Sequence, residues 1–117
     1  MNKFQSLLAG GLAALAFIAA APASAGDVVT QAQIEAATTA AQHEAIARSY
    51  DEEATAAELQ AKSHAKMAQT YRLASSSKIP RESMANHCSR LEKDYRDAAD
   101  EYRSMAAEHR KMAAEVK

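Results

Sequence analysis

The stretch from Met84 to Val116 carries a regular heptad pattern, and this pattern constrains the fold more than any other feature of the sequence. Apolar or large residues recur there in alternating steps of four and three, with charged or small residues between them. The recurring positions are Met84, Cys88, Leu91, Tyr95, Ala98, Tyr102, Met105, His109, Met112 and Val116. Such a pattern is typical of a helix that packs one narrow stripe against a partner helix. We therefore expect a helix over about residues 81–116.

A second heptad stripe precedes the first one along the chain. It comprises Ala36, His43, Ala47, Tyr50, Ala54, Ala57, Ala61, His64, Ala68 and Tyr71. Alanine occupies one set of positions, and histidine or tyrosine occupies much of the other. Small residues that face large ones let two helices approach closely and interlock. This stripe predicts a helix over about residues 30–75, with Ala57 and Ala98 near the middle of the contact between the two helices.

The two stripes are separated by a segment that favours a turn over about residues 76–80. Serines at 75–77 compete with the helix for backbone hydrogen bonds, and Pro80 suits the first turn of a new helix. No glycine follows Gly26, so the rest of the chain lacks glycine loops that could cradle a phosphate. These features predict an all-α fold: an antiparallel, coiled-coil-like two-helix hairpin. Because a single seam rich in alanine buries little area, we also expect two hairpins to pair into a four-helix bundle.

The first 25 residues have the layout of a secretory signal peptide. Lys3 is followed by an apolar run from Leu7 to Ala21 and by the small-residue sequence at 22–25. Cleavage after Ala25 would leave the hairpin, residues 26–117, in the periplasm or outside the cell, without a membrane span. The alternative is an uncleaved N-terminal anchor. Removal of Lys3 takes the formal net charge from −1 to −2, which disfavours nucleic acid as a partner.

Histidine and sulfur residues in both helices make a soft-metal site conceivable, because Cu(I) prefers such ligands. A hairpin that bends near Lys78 predicts two mixed clusters. The first comprises His64, Met67 and Cys88, and the second comprises His43, His109 and Met112. The alternative interpretation is that these residues fill the core, as methionine usually does at such spacing. Copper or silver would be the only cofactor that the residues suggest.

No recognisable catalytic set accompanies these residues, so we expect a protein that is not an enzyme. The segment beginning at His43 resembles the start of a zinc-protease motif, but Ala47 stands where the second histidine is required. Cys88 is a lone cysteine in a chain predicted to enter an oxidising compartment. It could form an intermolecular disulfide or remain a buried thiol.

Two stretches of the second helix carry a resemblance to other proteins: Met84-Ala85-Asn86-His87-Cys88-x-x-Leu91-x-x-x-Tyr95, and Glu108-His109-Arg110-Lys111-Met112-Ala113. Together they resemble small, secreted, alanine-rich helical-hairpin proteins of Gram-negative bacteria. No activity is known for that group, so the resemblance implies no site residues. Periplasmic chaperones of the Spy and CpxP type are also small and helical, but their Leu-Thr-x-x-Gln signature is missing here.

These observations favour a structural, chaperone-like or envelope-stress role. We expect the hairpin to act as a homo-oligomer, as a dimer of hairpins, or with other envelope proteins. Soft-metal binding is the alternative function.

Overall fold

The computed structural model describes residues 28–74 and 81–117, and three helices account for most of them. They are α1 (Gln31–Ala36), α2 (Ala40–Leu73) and α3 (Arg81–Glu115). α2 and α3 pack against each other in antiparallel orientation, since Tyr50 stacks on Tyr102 and His64 on Tyr95. The predicted all-α hairpin is therefore confirmed. The predicted signal peptide at 1–25 and the predicted turn at 76–80 lie outside the described residues.

The N-terminal half differs from the single predicted helix, because the chain breaks between α1 and α2. Thr39 caps α2: its side-chain oxygen accepts a hydrogen bond from the Gln42 backbone N–H at 3.2 Å. The Gln42 side-chain oxygen accepts from the Thr39 N–H at 3.1 Å. Thr30 and Gln33 form the same capping box at the start of α1. Each box satisfies N–H groups that the first turn of a helix leaves unpaired. The box of Thr39 and Gln42 thus stabilises a new helix start at this point, in competition with one continuous helix.

Residues that precede α2 pack against the hairpin. Val29 and Ala37 pack against a cluster of Ile46, Ala47, Tyr50 and Ala106. Ile46 was expected to lie off the main stripe, yet its side chain is buried. The segment that carries α1 therefore covers an apolar residue that the contact between α2 and α3 alone leaves uncovered.

The seam between α2 and α3 is built from alanine on both helices. On α2 the predicted stripe is confirmed, with five buried alanines at 47, 54, 57, 61 and 68. On α3 the buried alanines are at 85, 99, 106 and 113, each directly after a predicted stripe position. Alanine facing alanine allows the backbones to come close, since no side chain longer than a methyl group stands between them.

As a result one of the two sets of predicted inward positions on α3 is displaced by one residue, while the other set keeps its place. Four large apolar residues that were expected in the seam lie at its edge instead, with exposed fractions of 39–42%. They are Met84, Leu91, Met105 and Met112. Ala98, expected at the centre of the contact, is half-buried, while its neighbour Ala99 is buried. Cys88 and His109 keep their predicted inward positions.

Ion pairs run along the opposite edge of the seam. Arg103 contacts Glu58 at 2.6 Å, and Arg110 contacts Asp51 at 2.5 Å. Each contact lies seven residues from the other on both helices, as expected for an antiparallel coiled coil. These side chains are 42–46% exposed, and exposed pairs contribute little to stability, about 0–1 kcal/mol each. Because the two pairs repeat at the heptad spacing, a slip by seven residues would re-form one of them with exchanged partners, so they do not fix the register by themselves.

The close approach at the seam predicts a sharp difference between two adjacent alanines. Ala106→Leu should lower the free energy of unfolding by about 1–3 kcal/mol, because the side chain of Ala106 is fully buried and an added isobutyl group must push the helices apart. Ala107→Leu should change it by less than about 0.5 kcal/mol, since Ala107 is exposed. Urea unfolding followed by circular dichroism measures both. Equal losses would contradict the observed seam.

Candidate functional site

Two of the predicted metal ligands, His43 and His109, come together near the start of α2 and the end of α3. Their Nδ1 atoms are 3.1 Å apart, and their ring centroids are 5.4 Å apart. His109 is buried, and His43 is half-buried. The two residues occupy inward positions on facing helices, so the antiparallel register brings them together. We call them the histidine pair.

Aromatic rings extend the histidine pair along the seam. The ring of Tyr50 lies 5.7 Å from that of His109 and 6.2 Å from that of Tyr102. These distances fall within the range of favourable ring contacts. Tyr50 is buried in the same cluster as Ala47 and Ala106. The pair is therefore fixed on one side by packed rings rather than lying on a mobile surface.

The histidine pair can hold only one proton between its facing nitrogens. One Nδ1 must donate a hydrogen bond and the other must accept it, so the two rings need complementary tautomers. Burial lowers the pKa of His109 below its usual range, and the neighbouring His43 lowers that pKa further. Both effects penalise a charged ring. The folded chain therefore favours a neutral His109.

The residues of the other predicted cluster have different surroundings. His64 stacks on Tyr95 with ring centroids 5.5 Å apart. Its Nδ1 is shielded from solvent and makes no hydrogen bond within the described part of the chain. Cys88 is a buried free thiol, and Met67 is 37% exposed. The cluster of these three residues stays a prediction.

Met112 of the second predicted cluster lies one helical turn beyond His109 and is 42% exposed. It is thus near the histidine pair along α3 but outside the packed seam. Within residues 28–74 and 81–117, no group of three or more histidine, cysteine, aspartate or glutamate side chains is placed to hold a metal ion. A third protein ligand beside the histidine pair would therefore have to be another kind of side chain, such as the methionine thioether.

The two broad sides of the hairpin differ in chemistry. One side carries what we call the arginine edge, formed by Arg96, Arg103 and Arg110 of α3. Beside it lies an open groove of about 180 Å³, which has a charged lining that includes Glu58, Lys62 and Asp100. Arg103 is paired with Glu58 and Asp100, and Arg110 is paired with Asp51 and Glu44.

The other side carries the methionine edge, which we define as Met84, Leu91, Ala98, Met105 and Met112 of α3. An open groove of about 220 Å³ lies beside its centre. The groove is lined by Glu53, Ala56, Ala57, Gln60, Tyr95, Ala98 and Tyr102. Contiguous apolar side chains at the surface often mark a contact with another molecule.

Sequence reasoning missed the methionine edge as a surface because it assigned the same residues to the core. Two heptad sets lie side by side on α3, one starting at Met84 and one at Ala85. Hydrophobicity favours the first set, whereas close helix approach favours the second. The recurrence of alanine every seven residues at 99, 106 and 113 was the signal that could have shown which of the two sets faces α2.

Several charged side chains outside the histidine pair form surface ion pairs. A hydrogen bond from Arg103 lowers the pKa of Glu58, and that contact raises the pKa of Arg103. A similar contact with Asp97 raises the pKa of Lys93. These shifts stabilise charged forms and do not prepare a general acid or base.

The lowered pKa of His109 predicts that stability falls with acidification. Its ordinary value is 6.5, so as pH falls through and below that value the unfolded chain takes up a proton that the folded chain resists. The thermal midpoint should drop between about pH 7.5 and pH 5. His109→Gln should show a smaller drop. His87→Gln, which changes an exposed histidine, should keep the wild-type drop. An unchanged profile in His109→Gln would show that His109 is not the group responsible.

None of the helices in the two described segments is long and apolar enough to cross a membrane. No family model, curated protein or solved structure matches the chain.

Proposed function

We propose that the chain is an exported, non-enzymatic helical protein of the bacterial envelope that acts by binding other polypeptides, in a structural or chaperone-like role. The observation that carries the proposal is the methionine edge: four large apolar side chains about 40% exposed along one helix. Such a row costs solubility, so its presence on a small hairpin favours a binding role.

Methionine suits this role because its side chain is flexible and polarizable. Surfaces rich in methionine adapt to partners of different shape. The neighbouring groove adds a shallow apolar depression between α2 and α3, bordered by Tyr95 and Tyr102. The opposite side of the hairpin is occupied by internal ion pairs and offers no comparable apolar row among the described residues. Binding through the methionine edge therefore leaves the ion pairs intact.

Export is part of the proposal and rests on the N-terminal pattern of the sequence. The full chain, produced with a C-terminal tag in a Gram-negative host, should be recovered from the periplasmic fraction with an intact mass that begins at Gly26. A mass that retains residues 1–25 would contradict removal of a signal peptide.

The chaperone-like role predicts that purified mature protein suppresses aggregation of a secreted protein unfolded by reduction of its disulfides. Met105→Lys should weaken the suppression, because it places a charge in the middle of the methionine edge. Ser104→Lys adds the same charge one residue away, on the exposed side of α3, and should have little effect. Light scattering follows the aggregation. If wild-type protein gives no suppression, the chaperone-like role is wrong and a structural role is left.

A second candidate function is soft-metal binding at the histidine pair, with Met112 as a third ligand. The specific observation is the Nδ1 separation of 3.1 Å. Two nitrogen ligands about 2.0 Å from a tetrahedral ion would lie about 3.3 Å apart, so a small movement would admit an ion. Imidazole and thioether are ligands that Cu(I) accepts.

This candidate predicts that the mature, reduced protein competes with a chelator for Cu(I). Exchange of His43 for glutamine together with Met112→Leu should weaken the affinity at least about tenfold, since two of three ligands are lost. The triple variant His64→Ala, Met67→Ala, Cys88→Ala should retain the affinity if it keeps its helicity. The opposite ranking would assign the metal to the other cluster, and wild-type protein without competition would exclude both.

A further inference from the structure

We propose that the methionine edge is the interface through which a second copy of this chain binds, with a two-fold axis near Ala98. This inference rests on the proposed binding role and names the partner of the same surface. In the predicted four-helix bundle, the methionine edges of the two hairpins would then face each other.

The length of the edge fits a partner helix rather than a small ligand. Its five residues are spaced seven apart, so they extend over about 42 Å at 1.5 Å per residue. α2 continues the surface on the far side of the groove. Gln60 lines the groove beside Ala98, and Met67, seven residues later, is 37% exposed.

The order of side-chain sizes points to a second copy in antiparallel orientation. Two large residues precede Ala98 at intervals of seven, and two large residues follow it at the same intervals. A two-fold axis at Ala98 would place Leu91 opposite the second copy's Met105, and Met84 opposite its Met112. Interfaces with two-fold symmetry require this kind of self-complementary pattern. The small residue at the centre permits close contact where a side chain would meet its own copy.

The available area is sufficient for a stable pair. A face about 42 Å long and two helices wide, roughly 20 Å, covers about 800 Å² on each copy. That is the usual contribution of one partner to a specific interface. The arginine edge is a poorer candidate, because Arg103 and Arg110 are already paired within the chain. Association there would have to compete with those contacts.

Acidic residues at the outer flank of the methionine edge give the proposal a further signature. Asp94, Glu101 and Glu108 are exposed on α3, each three residues after a member of the edge. In the antiparallel arrangement Asp94 of one copy comes near Glu101 of the other. Because salt screens such repulsion, the dimer should become tighter as salt is added. A dimer held together by opposite charges would instead become weaker as salt is added.

The experiment uses mature protein and sedimentation equilibrium over a wide concentration range. Wild-type protein should form dimers. Met105→Lys should raise the dissociation constant by about 100-fold, since both copies then carry a charge at the contact. Ser104→Lys should leave it within about threefold of wild type. Circular dichroism checks that both variants keep their helices.

Disulfide trapping tests the axis. In a Cys88→Ala background, Ala98→Cys should form a disulfide-linked dimer rapidly under mild oxidation, and Ser104→Cys should do so slowly. Equal rates would overturn the axis at Ala98.

A wild-type protein that stays monomeric at all concentrations would overturn the proposal, as would a dimer that is equally stable in both lysine variants. The proposed function is tested separately. A monomer that suppresses aggregation through Met105 keeps the chaperone-like role and loses the second copy. A dimer that does not suppress aggregation keeps the second copy as the partner and contradicts the chaperone-like role.

Discussion

Close contact between alanines on α2 and α3 is the constraint on which the rest of the hairpin depends. Buried alanines at 47, 54 and 61 on α2 lie in the same seam as 99, 106 and 113 on α3. A methyl group buries little area, so each contact contributes modestly to stability. What the alanines provide is proximity, which lets larger residues at the borders of the seam reach across it. Tyr50, Tyr102 and His109 make their ring contacts in this way.

Register follows from groups around the seam rather than from alanine itself. A stripe of identical small residues can slide by a heptad with little loss of packing. The contact between His43 and His109 favours one alignment, because a shift by seven residues would separate the two rings. The ion pairs of Arg103 and Arg110 repeat at the heptad spacing, so they distinguish such alignments less. Exposed ion pairs are individually weak. After a slip by seven residues, however, Arg103 would face Asp51 or Arg110 would face Glu58, so the contact between His43 and His109 selects the register more than the ion pairs do.

The sequence was sufficient to predict the helices, the hairpin and the inward stripe of α2. It also predicted that His43 and His109 would be close, because both are inward heptad positions on facing helices. It did not predict the break at Ala37–Thr39. The capping box of Thr39 and Gln42 depends on two side chains, whereas the heptad pattern is read over many residues and does not show a local break. Nor did it predict the orientation of α3. Hydrophobicity alone would bury Met105 rather than Ala106. The helix backbones lie too close together for a methionine side chain, so Ala106 is buried instead.

The position of the methionine edge is therefore a consequence of the seam. Each methionine of the edge on α3 directly precedes a buried alanine, as Met105 precedes Ala106. When the alanine faces the partner helix, a rotation of about 100° per residue moves its neighbour to the border of the contact. The longer side chain then covers the seam on one face and reaches solvent on the other. A sequence that placed leucine in the seam would widen the hairpin and draw the methionines inward, which would remove the exposed row. The internal packing and the exposed methionine edge are thus set by the same choice of alanine.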